Sequence, residues 1–223
     1  FVKTDGDYIY FLSIGNQKLY IAEVSNGEMN QVASGLILSD NIREMLLIND
    51  TICIIANNRN LNETTMWYYD ISDRSNPILN HTFTQDGVYL SSRAIDTDVF
   101  VITSFQEFKV SAFNKKSAVI PEINGEEIDA NDIWIPEKMT SSQFTIVTAY
   151  DTKADKDEFT SAVSIIGASE TMYSGKKNLY LTFDDTNGIG TAQYLLEQVL
   201  SGTGWQLGFC ETFYESDGVT EKV

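Results

Sequence analysis

Apolar positions recur with a period of two from Tyr8 to Phe183, in short runs separated by turn residues, which is the pattern of strands joined as hairpins. "DYIYFLSI" leads through Gly15-Asn16 into "QKLYIAEVS", and "TICIIANN" leads through a polar loop into "TTMWYYDIS". "TDVFVITSF" has its partner in "FTIVTAYDT", and "ETMYSG" in "NLYLTF". The runs "AEVSNG", "YDISDRSNP" and "AYDTKAD" end three of these units in the same polar way.

The units repeat. Tyr20 and Trp67 stand 47 positions apart, close to the ~40–50 residues of one four-stranded propeller blade. "QVASGLIL" and "REMLLIND" supply the remaining strands between them. A third unit runs through "VYLSSRAID", "TDVFVITSF", "FTIVTAYDT" and "TSAVSII". It is interrupted from Gln106 to Gln143 by an insertion with Pro121, Pro136 and the acidic patch "NGEEIDANDIW", expected as a long loop with room for its own hairpin. "ETMYSGKKNLYLTF" opens a fourth unit.

From Asp184 the pattern changes. "DDTNGIG" is turn chemistry around Asn187-Gly188. Thr191 then stands where a helix N-cap belongs, Ala192, Leu195, Leu196, Val199 and Leu200 form a helical stripe, and Gly202 follows as a stop. The spacing predicts a helix from Thr191 to Leu200, in a second segment covering 184–223. The expected fold class is all-β: a partial β-propeller of three to four antiparallel blades over 1–183, followed by a short α+β segment.

Composition narrows the function. The chain has 223 residues, is 43% hydrophobic and carries a formal net charge of −17. A surface so acidic disfavours nucleic acid and anionic membranes as partners. No apolar run approaches the ~18 residues of a membrane span, so no membrane insertion is expected. Cys53, inside "TICIIA", is expected in the core; Cys210 lies far away, and two cysteines set neither a disulfide framework nor metal spacing. The chain starts at Phe1 without methionine and ends on "VTEKV", so a piece of a longer protein is expected.

Catalytic chemistry would have to use few groups. His81, the single histidine, sits in "LNHTFT" with no nucleophile motif beside it, so a structural role is expected. Asp96 with Asp98, Asp129 with Asp132, and Asp184 with Asp185 are the carboxylate pairs a glycosidase could use, and turn roles are the simpler expectation. "DTKADKDE", with Asp151, Asp155, Asp157 and Glu158, has oxygen ligands suited to calcium but lacks the alternation and central glycine of an EF-hand loop. "SDNIRE" and "DDTNG" are weaker cases. Asn49, Asn62 and Asn80 open glycosylation sequons, and Trp67, Tyr68 and Tyr69 are expected in packing between blades, with sugar stacking as the alternative. No catalytic, cofactor or metal residue is assigned.

"VKTDGDYIYFLSIGNQKLYIAEV", "YDISDRSNPILNHTFTQDGVYLSSRAID", "NDIWIP" with "FTIVTAYD", and "SIIGASETMYSGKKNLYLTF" together resemble the bacterial secreted β-propeller domain family distantly related to WD-40 repeats. The resemblance implies an extracellular or cell-envelope location and supplies no catalytic residues. It implies a non-enzymatic binding or scaffold surface with a protein or glycan partner; a carbohydrate-active propeller hydrolase is the alternative. "AQYLLEQVLSGTGWQLG" and "FYESDGVTEKV" resemble phage minor tail proteins of the tail-associated endopeptidase type, which adds a tail structural role as another alternative. The two resemblances place a seam near Phe183 to Asp185, with an assembly artefact, an engineered junction and a natural fusion all open. Three blades and part of a fourth fall short of the ~4 that closure needs, so the outer faces of the first and last blades are expected to be apolar and uncovered.

Overall fold

The computed structural model describes residues 1–36, 41–58, 60–106, 108–110, 116–135, 142–154, 159, 161–166, 169–174, 178–183, 192–197, 213–214 and 221–222. Among them the chain is all-β, with one turn of 3-10 helix at Ala130–Asp132 and no α-helix.

The first sheet holds β1 (Val2–Thr4), β2 (Tyr8–Ser13), β3 (Lys18–Ser25) and β4 (Glu28–Leu36) in sequence order. The second holds β5 (Ile42–Ile48), β6 (Thr51–Asn58), β7 (Glu63–Asp70) and β8 (Ile78–Asp86). In the third, β9 (Val88–Ile95) and β10 (Asp98–Phe105) are followed across the insertion by β16 (Phe144–Asp151) and β17 (Ser161–Ile166). The insertion forms two hairpins, β11 (Phe108–Val110) with β12 (Lys116–Ala118) and β13 (Glu122–Ile123) with β14 (Glu126–Glu127), and then β15 (Ile133–Trp134). A fourth sheet contains β18 (Ser169–Ser174), β19 (Asn178–Phe183) and β20 (Ala192–Glu197). β21 (Phe213–Tyr214) pairs with β22 (Glu221–Lys222).

The four main strands of each of the first three sheets form an antiparallel meander, and their geometry repeats. Val24, Ile71 and Thr152, at the end of the third strand, donate their amides to the Asp7, Asp50 and Thr97 carbonyls in the turn between the first two strands, at 2.8, 2.8 and 3.0 Å. Val24 and Ile71 keep the 47-residue spacing of Tyr20 and Trp67. Asp70 and Asp151 add the same Asx turn, accepting from the amides of Ser72 and Lys153. Tight turns use left-handed residues: Asn26-Gly27 and Asn124-Gly125 both have positive φ through the pair, as a two-residue hairpin requires.

The sheets stack face to face, with first strands adjoining: β1 lies beside β5, and β5 beside β9. Strand alternation sends the two faces of the second sheet to different neighbours. Ile52, Ile54, Ala56 and Trp67 pack on Tyr10, Leu12, Leu19 and Ile21 of the first sheet. Cys53, Ile55, Met66, Tyr68 and Phe83 pack on Val99, Val101 and Tyr150 of the third. β6 is therefore buried on both sides over Ile52–Asn57. Trp67 and Tyr68 face opposite ways, both in packing between sheets.

Gly87 makes the step from β8 to β9. Its φ is +98°, and a Cβ there would meet the Ser104 carbonyl oxygen at 2.6 Å and the Phe105 nitrogen at 3.0 Å, so only glycine fits. Its amide donates to Asn62 O at 2.6 Å, and its carbonyl accepts from Thr64 Oγ1 at 2.8 Å, which itself accepts from Asn57 Nδ2.

One expected element is corrected. Within Thr191–Leu200 the described residues Ala192–Glu197 form strand β20, not a helix, and they pair antiparallel along all of β19, from Asn178↔Glu197 to Phe183↔Ala192. A ten-residue helix is marginal in water without tertiary support. Here β19 offers a row of backbone partners, and six residues of mixed apolar and polar character fit an edge strand as well as a helical stripe. The sheet thus carries strands from both sides of 183–185. Thr191, Val199, Leu200 and Gly202 lie outside the described residues.

Candidate functional site

The insertion is fixed to the rims of two sheets. Ile123 on β13 pairs opposite Gln85, extending the second sheet beyond β8. Around that point the Glu122 amide donates to Asp86 Oδ2 at 2.8 Å, the Thr84 amide to Asn124 Oδ1 at 2.8 Å, and the Asn124 amide to Thr84 O at 2.9 Å. Further on, Ile133 and Trp134 of β15 lie parallel to Ser164 and Ile165 of β17, extending the third sheet. Between these anchors Ile128 is buried with Phe105, Phe144 and Ile146, and Val119, Ile123 and Ile133 pack around them. The expected loop, hairpins included, is therefore docked on the third sheet, sharing a small apolar cluster with β10 and β16.

Its stretch 119–135 presents an acidic surface. Glu122, Glu126, Glu127, Asp129 and Asp132 are all exposed, and 119–135 contains no lysine or arginine. Asp129 is occupied locally, accepting from Asn131 N at 2.8 Å and Nδ2 at 2.7 Å to cap the 3-10 turn. Asp129 thus has a capping role, and Asp132 is exposed on the same turn.

The other candidates fall elsewhere. Asp98 stands directly across the sheet from Asp151, with Asp96 in the adjoining turn. Burial, then the charges of Asp151 and Asp96, push the Asp98 carboxyl above its ordinary pKa of 3.8. His81 is on β8, against Phe83 (ring centroids 6.0 Å apart) and Tyr150 (5.6 Å), in an aromatic group that also includes Tyr68 and Phe159. Cys53 is fully buried, and its thiol is pushed up to about 12 by burial, which outweighs the interaction with Tyr68 that lowers it. Of the sequons, Asn49 and Asn80 are exposed, and Asn62 is half-buried in the loop before β7. Among the described residues no three carboxylate, histidine or cysteine side chains gather as a metal would need. Asp155, Asp157, Glu158, Asp184, Asp185 and Cys210 lie outside the described residues, as does the Asp40 end of "SDNIRE".

Two further features stand out, and the first was not read from the sequence. Arg74, in the loop after β7, joins the first two sheets: its Nη1 donates to Asp50 and to Ile71 O, its Nε to the Tyr10 hydroxyl at 3.1 Å, and its Nη2 reaches Asp5 Oδ2 at 3.4 Å. The Tyr10 hydroxyl donates to the same Asp5 oxygen at 2.7 Å, and the guanidinium lies 5.7 Å from the centre of the Tyr8 ring. Partial burial works against the charge on Asp5, but hydrogen bonds from Tyr10, the Tyr8 amide and Arg74 hold its carboxyl below the ordinary range. "SDRSNP" reads as an ordinary polar turn, and only the stacking of sheets brings Asp5, 69 residues away, to this arginine.

The second feature is a groove of about 510 Å³ on the face of the first sheet turned away from the second, lined by Val2, Ile9, Phe11, Tyr20, Met29 and Gln31 among others. Phe11 and Tyr20 stack with centroids 6.0 Å apart; Val2 is 62% exposed and Met29 65%. The uncovered apolar face expected for a first blade is present.

A family model described as a beta propeller domain matches residues 1–214, running past the 183–185 region. No curated protein matches the chain. Among solved structures, a chain of an S. cerevisiae assembly (a Dbp5 variant bound to Nup159, a Gle1 variant, IP6 and ADP) is similar at TM-score 0.35 and 8% identity. The match covers 96% of this chain and 62% of that one, a likeness too loose to carry function.

Proposed function

The chain belongs to the beta propeller domain family, and from that premise we propose that it is a non-catalytic binding or scaffold module. It works outside the bacterial cytoplasm, at the cell surface or beyond, and presents the insertion between β10 and β16 to a protein or glycan partner. The location rests on the resemblance of residues 1–183 to secreted bacterial propellers. The binding role rests on one observation: the insertion is tied by strand pairing to the rims of two neighbouring sheets, so its exposed surface is held on a rigid frame. A non-catalytic reading is supported by the candidate groups themselves, since Asp129 caps a turn and His81 packs against aromatic rings.

The test compares the full chain with a Glu122→Lys/Glu126→Lys/Glu127→Lys variant on arrays of cell-wall glycans and of extracellular proteins, with glycan hydrolysis followed in parallel. The reading expects saturable binding that the triple variant loses while its unfolding midpoint stays unchanged, and no hydrolysis. Hydrolysis abolished by Asp98→Asn, or binding indifferent to the triple variant, would overturn it.

A further inference from the structure

The first three sheets end in the outer strands β4, β8 and β17, and these edges are treated differently. Strands of the insertion extend two of them, β13 at β8 and β15 at β17. Among the described residues nothing pairs with the free edge of β4. An open edge is a row of unused backbone donors and acceptors, usually blunted by proline, lysine, bulges or shortness. β4 is nine residues long, has no proline or lysine, and carries one charge, Glu28. Its one irregularity is a register shift opposite Ile21 and Ala22.

The edge also borders the apolar groove. Met29 and Gln31 of β4 line it together with Phe11 and Tyr20. A strand laid beside β4 would send every second side chain onto this face. We propose that β4 accepts an extended segment of a partner protein as a fifth strand, with apolar residues at alternate positions and basic residues between them. Backbone bonds to β4 supply affinity, and the side chains over the groove supply selection. The basic character follows from charge at the groove end of the edge: exposed Glu28 lies on β4 and exposed Glu23 opposite Asn30. Exposed Lys18 stands at the far end opposite Leu36, and the whole chain carries −17. The same charge repels a second copy pairing β4 to β4 and steers a cationic segment in. This surface is separate from the insertion, so each reading can fail without the other.

The probe is a fluorescein-labelled nine-residue peptide alternating valine and lysine, titrated into the full chain by anisotropy, with amide hydrogen exchange on the saturated complex. A peptide of the same sequence with N-methylated backbone amides keeps the charge and cannot complete a sheet. The proposal expects saturable binding, new protection in β4, and affinity at least about tenfold weaker for the methylated peptide and for Met29→Lys. Equal affinity of the two peptides, protection away from β4, or no saturable binding would overturn it. So would a concentration-dependent dimer in which β4 is already protected without peptide.

Discussion

The second sheet is covered on both faces and the first on one, although both carry apolar residues on both faces of their strands. In β6, Ile52, Ile54 and Ala56 meet the first sheet while Cys53 and Ile55 meet the third. In β2, Tyr10 and Leu12 are buried against the second sheet, but Phe11, between them, is 45% exposed. The 47-residue offset explains this: Tyr20 occupies in the first sheet the place Trp67 occupies in the second, and Trp67 is only 9% exposed. A repeat writes the same two-sided apolar pattern into every sheet, and the presence of a neighbour decides whether a face becomes core or surface.

The largest expected effect tests that contrast directly. Ile54→Ala opens a cavity between two packed sheets and should cost about 2–5 kcal/mol in chemical denaturation. Phe11→Ala, on the open face, removes a larger side chain yet should cost less than about 1 kcal/mol; equal costs would mean the groove is covered. Gly87→Ala follows. The new methyl meets backbone at Ser104 and holds a positive φ, so a loss of about 2–4 kcal/mol is expected at the joint between the second and third sheets. Arg74→Ala should cost about 1–3 kcal/mol by unlinking the first sheet from the second, and Arg74→Lys should recover only part, because a point charge cannot serve Asp5, Asp50 and Tyr10 together. Since the folded Asp5 carboxyl titrates below its ordinary 3.8, its contribution is complete above that value and lost as pH falls through the lower folded one. The Arg74→Ala deficit should therefore shrink in acid.

The smallest effect has the opposite sign. Asp98 faces Asp151 across the third sheet and its carboxyl is raised, so ionisation costs stability above the folded value and that cost disappears below the unfolded one. Asp98→Asn should raise the melting temperature by about 1–3 °C at neutral pH. The gain should vanish below about pH 3.8, which differential scanning fluorimetry across pH would show.

Local rules made much of this molecule readable. Period-two runs and turn residues located the paired strands β2–β3, β6–β7, β10–β16 and β18–β19, and the spacing of Tyr20 and Trp67 identified the repeat. What escaped was decided over distance. The stripe at Ala192–Glu197 satisfies helix and strand alike, and only the edge of β19 resolves the choice. β13 and β15 are too short to carry a pattern, and they exist because β8 and β17 offer partners. The insertion was visible as an interruption, while its docking depends on Ile128 meeting Phe144 and Ile146, which sequence spacing cannot foretell.

The most direct measurement uses thiol reactivity in a Cys210→Ser background. Cys53 lies wholly inside the packing of the second sheet on the third, and Phe11→Cys, in a Cys53→Ala partner protein, places a thiol on the open face instead. Stacked sheets predict that Phe11→Cys reacts at once with a maleimide under native conditions, while Cys53 reacts only as denaturant opens the structure. Labelling of Cys53 in native buffer as fast as that of Phe11→Cys would contradict the stacked arrangement.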